Sequence, residues 1–460
     1  MKKATKHAMH QINMVEGPLS KKILLFALPL AGSSILQQLF NSTDIAVVGR
    51  FASNQALAAV GSNGPIINLM VLLFTGLSVG ANVLIARYIG HNDKERANIA
   101  SHTTLALALI CGFLLLLIGQ FFSKSILYLM NTPEDVIELA ATYLRIYFLG
   151  TPFIMIYNFG SAILRSIGDT RRPLYCLIIS GIINVILNLV LVIVFDMSVV
   201  GVGIATVVAD GVSAALIMYF LITEENECIK INIRNIRIKS DAIKQILFIG
   251  IPAGVQGMVF SFSNVCIQAS INGFGSDAVA GSSAALNFEY ITYYIICAFS
   301  QTAVAFTSQN YGAMKYDRCK KFFRLCMFYG CLTCGIVSVI FILDSNIFIR
   351  FFTTNPEVIK YAMIRLRVVM LLEILTGSYE ITSAALRGIG HSIAPAVITI
   401  FGSVVFRIAW IYTVFSMYHN YTVLLSVYPV SWILTGTVLI ASYLIIRRRE
   451  FAKARMMFAI

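Results

Sequence analysis

The sequence predicts an all-α integral membrane protein of twelve transmembrane helices arranged as two parallel six-helix repeats. Three observations carry this prediction: long apolar runs, an internal duplication, and a one-sided distribution of basic residues. A mean hydropathy of +0.80, with 58% apolar and 12% charged residues, leaves too little polar surface to solvate a globular core of 460 residues. A formal net charge of +13 would suit nucleic acid if the basic residues formed a stripe. They cluster instead in short loops between apolar runs, which is the membrane-orientation pattern, so no nucleic-acid partner is expected.

Apolar stretches of about 20 residues or more are needed to cross about 30 Å of hydrocarbon. In the first half they fall at roughly 22–49, 59–86, 97–119, 138–164, 173–195 and 199–222. The second half has them at roughly 243–272, 278–309, 322–343, 358–386, 393–416 and 421–446. The densely charged stretch 223–242 (TEENECIKINIRNIRIKSDA) separates the two sets as a linker. The expected organisation is therefore an N-terminal segment 1–20, a first lobe 21–222, the linker, a second lobe 243–446 and a basic tail 447–460. No cleavable signal peptide is expected, because residues 1–20 are polar and the first apolar run is too long for one.

The duplication has an offset of 222 to 223 residues. Pro29 answers to Pro252, and Phe51-Ala52-Ser53 to Phe274-Gly275-Ser276. Asn131-Thr132-Pro133-Glu134 answers to Thr354-Asn355-Pro356-Glu357, and LRSIGDTRRP from Leu164 to LRGIGHSIAP from Leu386. With the N-terminus placed in the cytoplasm, 27 Lys and Arg fall on cytoplasmic segments and four (Arg50, Lys124, Arg350, Lys360) on external loops. That asymmetry sets both termini in the cytoplasm. An even span count per repeat makes the repeats parallel, as in two-lobed transporters. The expected location is the inner (plasma) membrane, as a multi-pass monomer in the lipid bilayer.

Nine cysteines lie mostly inside apolar runs, and Cys331-Leu-Thr-Cys334 sits in a membrane-helix pattern that points to packing rather than metal or redox chemistry. The six histidines form no cluster. No nucleotide loop, triad or metal-spaced group is present, so neither an enzyme nor an organic cofactor is expected.

Ionisable groups at bilayer depth are costly and mark function. Asp44 lies near the end of span 1, roughly 8 Å below the external surface at a helical rise of about 1.5 Å per residue. Asn184 and Asn188 on span 5 are i and i+4 and share a face, as do Thr206 and Asp210 on span 6. All four reach a similar level, roughly 10 to 18 Å from the outer ends of their helices. Carboxylate, amide and hydroxyl oxygens together can hold a proton or a Na⁺; the alternative for the Asn and Thr residues is interhelical hydrogen bonding. The second half carries Glu289 on span 8, Glu373 and Glu380 on span 10 and Arg407 on span 11. Depth alone suggests a buried ion pair between Glu373 and Arg407, with Glu380 the alternative partner, either static or functional. Pro29 and Pro252 are candidate helix hinges, and Pro152 interrupts span 4.

These residues resemble the multidrug and toxic compound extrusion (MATE) family of secondary transporters over nearly the whole chain. The resemblance rests on Thr43, Asp44 and Gly49, on LRSIGDTRRP and its repeat LRGIGHSIAP, and on the NVILN element from Asn184. It implies two six-helix lobes around a V-shaped cavity, and export of organic cations in exchange for H⁺ or Na⁺. It further implies an N-lobe cation site, as in the prokaryotic branch, at Asp44, Asn184 and Thr206, the same three that would hold Na⁺. Family members often carry aspartate where this chain has Asn188, and Asp210 is the candidate to restore that charge. The family's C-lobe branch uses acids on spans 7 and 10; here span 7 offers only Gln256 and the matching span 10 position is Thr376. The alternative function is a flippase for lipids or lipid-linked oligosaccharides, which would be expected to line its cavity with Arg and Lys; only Arg145, Arg365, Arg367 and Arg407 are available within spans.

Overall fold

A computed structural model describes residues 11–130, 132–350 and 354–457. Residues 1–10 of the expected N-terminal segment, Asn131 of the repeated Asn-Thr-Pro-Glu element and the last three residues of the basic tail lie outside the described residues.

The described residues are overwhelmingly helical and contain no strand. Spans 1 to 3 are the helices α1 (Leu19–Phe51), α2 (Asn54–Gly90) and α3 (Lys94–Leu129). Span 4 is a broken pair, α4 (Glu134–Leu149) and α5 (Thr151–Ser166), bent by 45°. Pro152 causes the break from the first turn of α5, where a proline's missing N–H costs nothing. Spans 5 and 6 are α6 (Arg171–Leu189), which runs on through a π-helical turn, and α7 (Ser198–Ile222). The second half begins with α8 (Ser240–Asn272), α9 (Ser276–Gly312) and α10 (Tyr316–Leu343), followed by the short α11 (Ser345–Arg350). Span 10 is α12 (Pro356–Val368) and α13 (Thr376–Gly388) joined by the 3₁₀ turn Met370–Leu375. Span 11 is α14 (Ile393–Thr399) and α15 (Phe406–Trp410), each followed by π turns, and span 12 is α16 (Tyr421–Leu425) with α17 (Val427–Met457).

Every expected span thus falls on helix, but the spans are not equally apolar. Nine helices among the described residues are long and apolar enough to cross a membrane, and the bent α4–α5 pair makes a tenth. The exceptions are spans 8 and 10. Span 10 carries Glu357, Lys360, Arg365, Arg367, Glu373, Glu380 and Arg387, while α9 carries Asp277 and Glu289 among many Ser, Thr, Asn and Tyr residues. These two helices hold the polar interior of the second half.

The duplicated motif is a helix stop. In LRSIGD, Gly168 adopts φ +91°, and the N–H groups of Gly168 and Asp169 bond back to the carbonyls of Arg165 and Leu164. In LRGIGH, Gly390 has φ +98° and the same two bonds run to Arg387 and Leu386. Only glycine takes this left-handed conformation without strain, which satisfies the last carbonyls of the helix. Asn92 (φ 59°) and Met314 (φ 57°) occupy another matched left-handed pair, after α2 and α9. In the first repeat the motif goes on to lock its surroundings. Asp169 accepts the N–H groups of Arg171 and Arg172 and pairs with the Arg172 guanidinium, which also pairs with Glu224; all three side chains are buried.

By its internal contacts the chain divides into two compact units. One contains Gly32–Gly254 and the segment up to Asn13; the other contains Met14–Ala31 and everything from Val255. The divisions at Ala31/Gly32 and Gly254/Val255 fall inside helices, α1 and α8. Within the first unit, α2 and α8 approach through Gly76 and Gly80 against Gly250 and Gly254, so close that a Cβ on Gly76 would lie 2.2 Å from the Gly254 nitrogen. This small-residue packing brings backbones together where lipid offers no hydrophobic drive between helices. Buried asparagines add polar links: Asn82 donates to the Ala162 carbonyl at 2.8 Å and Asn63 to that of Ala140 at 3.0 Å. Within the second unit, Phe26 meets the edge of Phe306, which stacks on Phe322 with centroids 4.5 Å apart.

Candidate functional site

Asp44 stands on α1 with its side chain buried. Asn188 Nδ2 donates to its Oδ1, and Thr206 Oγ1 lies 3.5 Å from its Oδ2. Asn188 also donates to Asn184 Oδ1 at 3.2 Å, and Asn184 Nδ2 reaches Thr206 Oγ1 at 3.5 Å. Helical i, i+4 spacing on α6 puts both asparagines on the face that meets α1 and α7. Four of the five expected residues therefore form one connected group.

The group combines carboxylate, amide and hydroxyl oxygens with the N–H donors of two asparagines. Thr206 has one hydroxyl proton. That proton is in reach of two acceptors, the Val202 carbonyl at 3.0 Å and Asp44 Oδ2 at 3.5 Å, and can serve only one of them fully. Asn188 Oδ1 is buried and has no hydrogen-bond partner. No Lys or Arg forms an ion pair with Asp44 among the described residues. Oxygens of these kinds around one buried carboxylate can receive a proton or a hard cation.

Asp210 is not hydrogen-bonded into this group. Its carboxylate lies beside the break in span 4, with Oδ2 3.5 Å from where a Cβ on Gly150 would stand. It interacts through charge with Asp44, and both are electrostatic neighbours of Tyr143 and Tyr147. One further turn along α7 carries Asp210 past the level of Asn188.

The second half has a different arrangement, and the expected Glu373–Arg407 ion pair is absent. Arg365 instead makes a bidentate pair with Glu289, Nε to Oε1 at 2.7 Å and Nη2 to Oε2 at 2.8 Å, and its Nη1 donates to Ser282 at 2.8 Å. Glu373 accepts from the Thr292 hydroxyl, and Glu380 accepts from Tyr293 at 3.0 Å. Arg407, fully buried, donates to Ser431 and Asn264, each at 3.0 Å. Its guanidinium lies 4.9 Å from the ring centre of Phe260 and 4.8 Å from that of Tyr428. Glu373 misses Arg407 because shared depth does not fix which way a side chain faces. Glu373 is the fourth residue of the 3₁₀ turn Met370–Leu375, which advances about 120° per residue rather than about 100°, so its face is offset by roughly 60–80° from an α-helical course.

Arg365 is one of four arginines within spans, and nothing local in the sequence names its partner. The signal was Glu289, an acid on a span with no Lys or Arg of its own, which required a cation from a neighbouring helix. Pro29 and Pro252, the candidate hinges, lie inside the continuous helices α1 and α8. No group of three or more His, Cys, Asp or Glu side chains is placed to hold a metal among the described residues.

Comparison with known proteins agrees with this architecture. The solved structure of a MOP-superfamily transporter from Pyrococcus furiosus superposes with a TM-score of 0.88, covering 95% of this chain and 98% of that one at 23% identity. A MATE crystal structure in a bent conformation gives 0.86, covering 97% and 98% at 23% identity. At such identity these likenesses establish the fold. Among relatives, the probable multidrug resistance protein YoeA of Bacillus subtilis is 28% identical over 387 residues, 83% of this chain and 84% of that protein. The multidrug export protein MepA of Staphylococcus aureus is 22% identical over 398 residues, 86% of this chain and 88% of its own length. The MatE family model matches twice, at residues 29–190 and 252–413, once in each half. With most of its length matched by that model, the chain belongs to the MatE family.

Proposed function

We propose that this protein is a secondary multidrug exporter that moves organic cations out of the cell in antiport with H⁺ or Na⁺. The observation that carries the coupling half of this reading is the buried Asp44 carboxylate, met only by the Asn188 amide and the Thr206 hydroxyl, with no protein cation to balance it. A protonated Asp44 would donate to Thr206 Oγ1 or, after an amide flip, to Asn188 Oδ1. A Na⁺ would take its oxygens from Asp44, Thr206 and the amides of Asn184 and Asn188. Either arrival cancels a buried charge and changes how α1, α6 and α7 hold each other, which is a physical route from ion binding to shape change. The names borne by YoeA and MepA support drugs as cargo. The reading places two lobes, 21–222 and 243–446, in the plasma membrane as a monomer with both termini cytoplasmic. Pro29 and Pro252 serve as bending points, and neither organic cofactor nor enzymatic chemistry is involved.

The test is transport of a fluorescent dye cation into proteoliposomes under an imposed H⁺ or Na⁺ gradient. Wild type should move dye under one gradient, and Asp44→Asn should not. Equal, gradient-driven transport by wild type and Asp44→Asn would overturn the assignment of coupling to this site.

A further inference from the structure

The segment 230–239, KINIRNIRIK, alternates four basic residues with four isoleucines and contains no acid. It joins the end of α7 to the start of α8, and it is firmly held. Asn98 Nδ2 donates to the carbonyls of Glu227 (2.8 Å) and Lys230 (2.9 Å). His102 Nε2 accepts the Asn232 N–H at 3.1 Å, while its Nδ1 meets the Asn98 carbonyl at 2.9 Å. Thr103 Oγ1 contacts the Arg237 carbonyl and accepts the Lys239 N–H, both at 3.3 Å. Three polar side chains at the start of α3 thus bind the segment's backbone, and Ile229 and Ile231 are buried beneath it.

This anchoring decides what is left facing outward. Lys230, Arg234, Arg237 and Lys239 are exposed and form no ion pair with the described residues. Between them Ile233 is 62% exposed and Ile238 44% exposed. Asn98, Ile222, Lys230, Asn232, Ile233 and Arg234 border a cleft of about 630 Å³. The cleft's one carboxylate, Glu227, is engaged by Lys94 at 3.2 Å, so the two basic groups there remain uncompensated. Charge beside exposed isoleucine at the ends of membrane-crossing helices suits a molecule that is anionic at one end and apolar at the other.

We propose that 230–239 and the cleft beside it form a binding site for an anionic phospholipid, with the phosphodiester at Lys230 and Arg234 and the acyl chains along Ile222 and Ile233. Arg237 and Lys239 extend the positive surface to neighbouring headgroups. A free phosphate would have no use for the exposed isoleucines, and the cleft opens beside the ends of α3 and α7, both long and apolar enough to cross a membrane, where lipid headgroups are the nearest anions.

The experiment uses the full chain in nanodiscs of an equimolar phosphatidylglycerol and phosphatidylcholine mixture, with retained lipid identified by native mass spectrometry. Wild type should retain phosphatidylglycerol preferentially. K230Q/R234Q/R237Q should lose that preference by roughly ten-fold or more, since each basic side chain near an anionic surface contributes about fivefold. R448Q/R449Q/K453Q, an equal charge change at the C-terminal tail, should keep it. Ile233→Asn should weaken retention with all charges in place, and inorganic phosphate should not displace the lipid. R234Q alone gives the same reading on a smaller scale if the triple variant does not fold. Unchanged preference in the segment variants, or an equal loss in the tail variant, would overturn the proposal. Displacement by inorganic phosphate would also overturn it, marking a free-anion site.

Discussion

Two buried carboxylates at membrane depth, Glu289 in the second half and Asp44 in the first, meet the problem of buried charge in opposite ways. In the second half a carboxylate is answered by the protein itself: Arg365 grips Glu289 with two hydrogen bonds, and Ser282 takes a third donor. In the first half Asp44 has only amide and hydroxyl neighbours and no permanent countercharge. A pair that brings its own counterion serves structure, since it needs nothing from outside and changes little. Asp44, which lacks one, is open to a proton or a mobile cation. The contrast argues that buried acids in this family member should be judged by what neutralises them rather than by their depth.

The sharpest way to break this comparison is to remove each charge in turn. Asp44→Asn should abolish gradient-driven dye transport, while shifting stability by no more than about 1 kcal/mol, because it deletes an uncompensated buried charge and keeps the side chain's shape. Glu289→Gln should do the reverse in kind. It leaves Arg365 buried and unpaired, a loss of about 3–5 kcal/mol, visible as a lower melting temperature in detergent. The double change Glu289→Gln/Arg365→Met should recover most of that loss. If Glu289→Gln melts like wild type, the pair is not structural.

Asp210→Asn should reduce transport partially, since Asp210 acts on Asp44 through charge and not through a hydrogen bond. A loss as complete as that of Asp44→Asn would mean the two carboxylates share the coupling ion, with Asp210 restoring the charge that Asn188 lacks. The smallest effect belongs to Thr206. Thr206→Ser keeps the oxygen facing Asp44 and should stay within roughly threefold of wild type, less than about 1 kcal/mol, whereas Thr206→Val removes the oxygen and should impair transport clearly. Initial rates of dye uptake separate the two.

Much of this was legible in the sequence. Hydropathy marked the spans, and helical spacing put Asn184 beside Asn188 at the level of Asp44. Arg365–Glu289 was not legible, because 76 residues separate the partners and nothing local fixes how two helices face each other. The 3₁₀ turn Met370–Leu375, which contains Glu373, was equally invisible. Polar residues at the start of α3, Asn98, His102 and Thr103, read as the ordinary edge of a membrane span. Their purpose shows only when the backbone of 227–239 lies against them. The LRSIGDTRRP motif was conspicuous as a repeat, yet its work proved to be ending a helix and locking Arg172 to Asp169 and Glu224.

The matched left-handed turns have a practical reach beyond helix termination. Asn92 and Gly168 in the first half, and Met314 and Gly390 in the second, bracket stretches of equal length. They are natural seams for cutting and rejoining: the stretch between one pair can be grafted in place of the other without inserting or deleting a residue, at points where the backbone already takes the same unusual shape. A chimera assembled along those seams would enter and leave the graft on the same backbone geometry, so any failure to function could be traced to side chains. The duplication then becomes a toolkit, with the borders of its exchangeable parts already drawn.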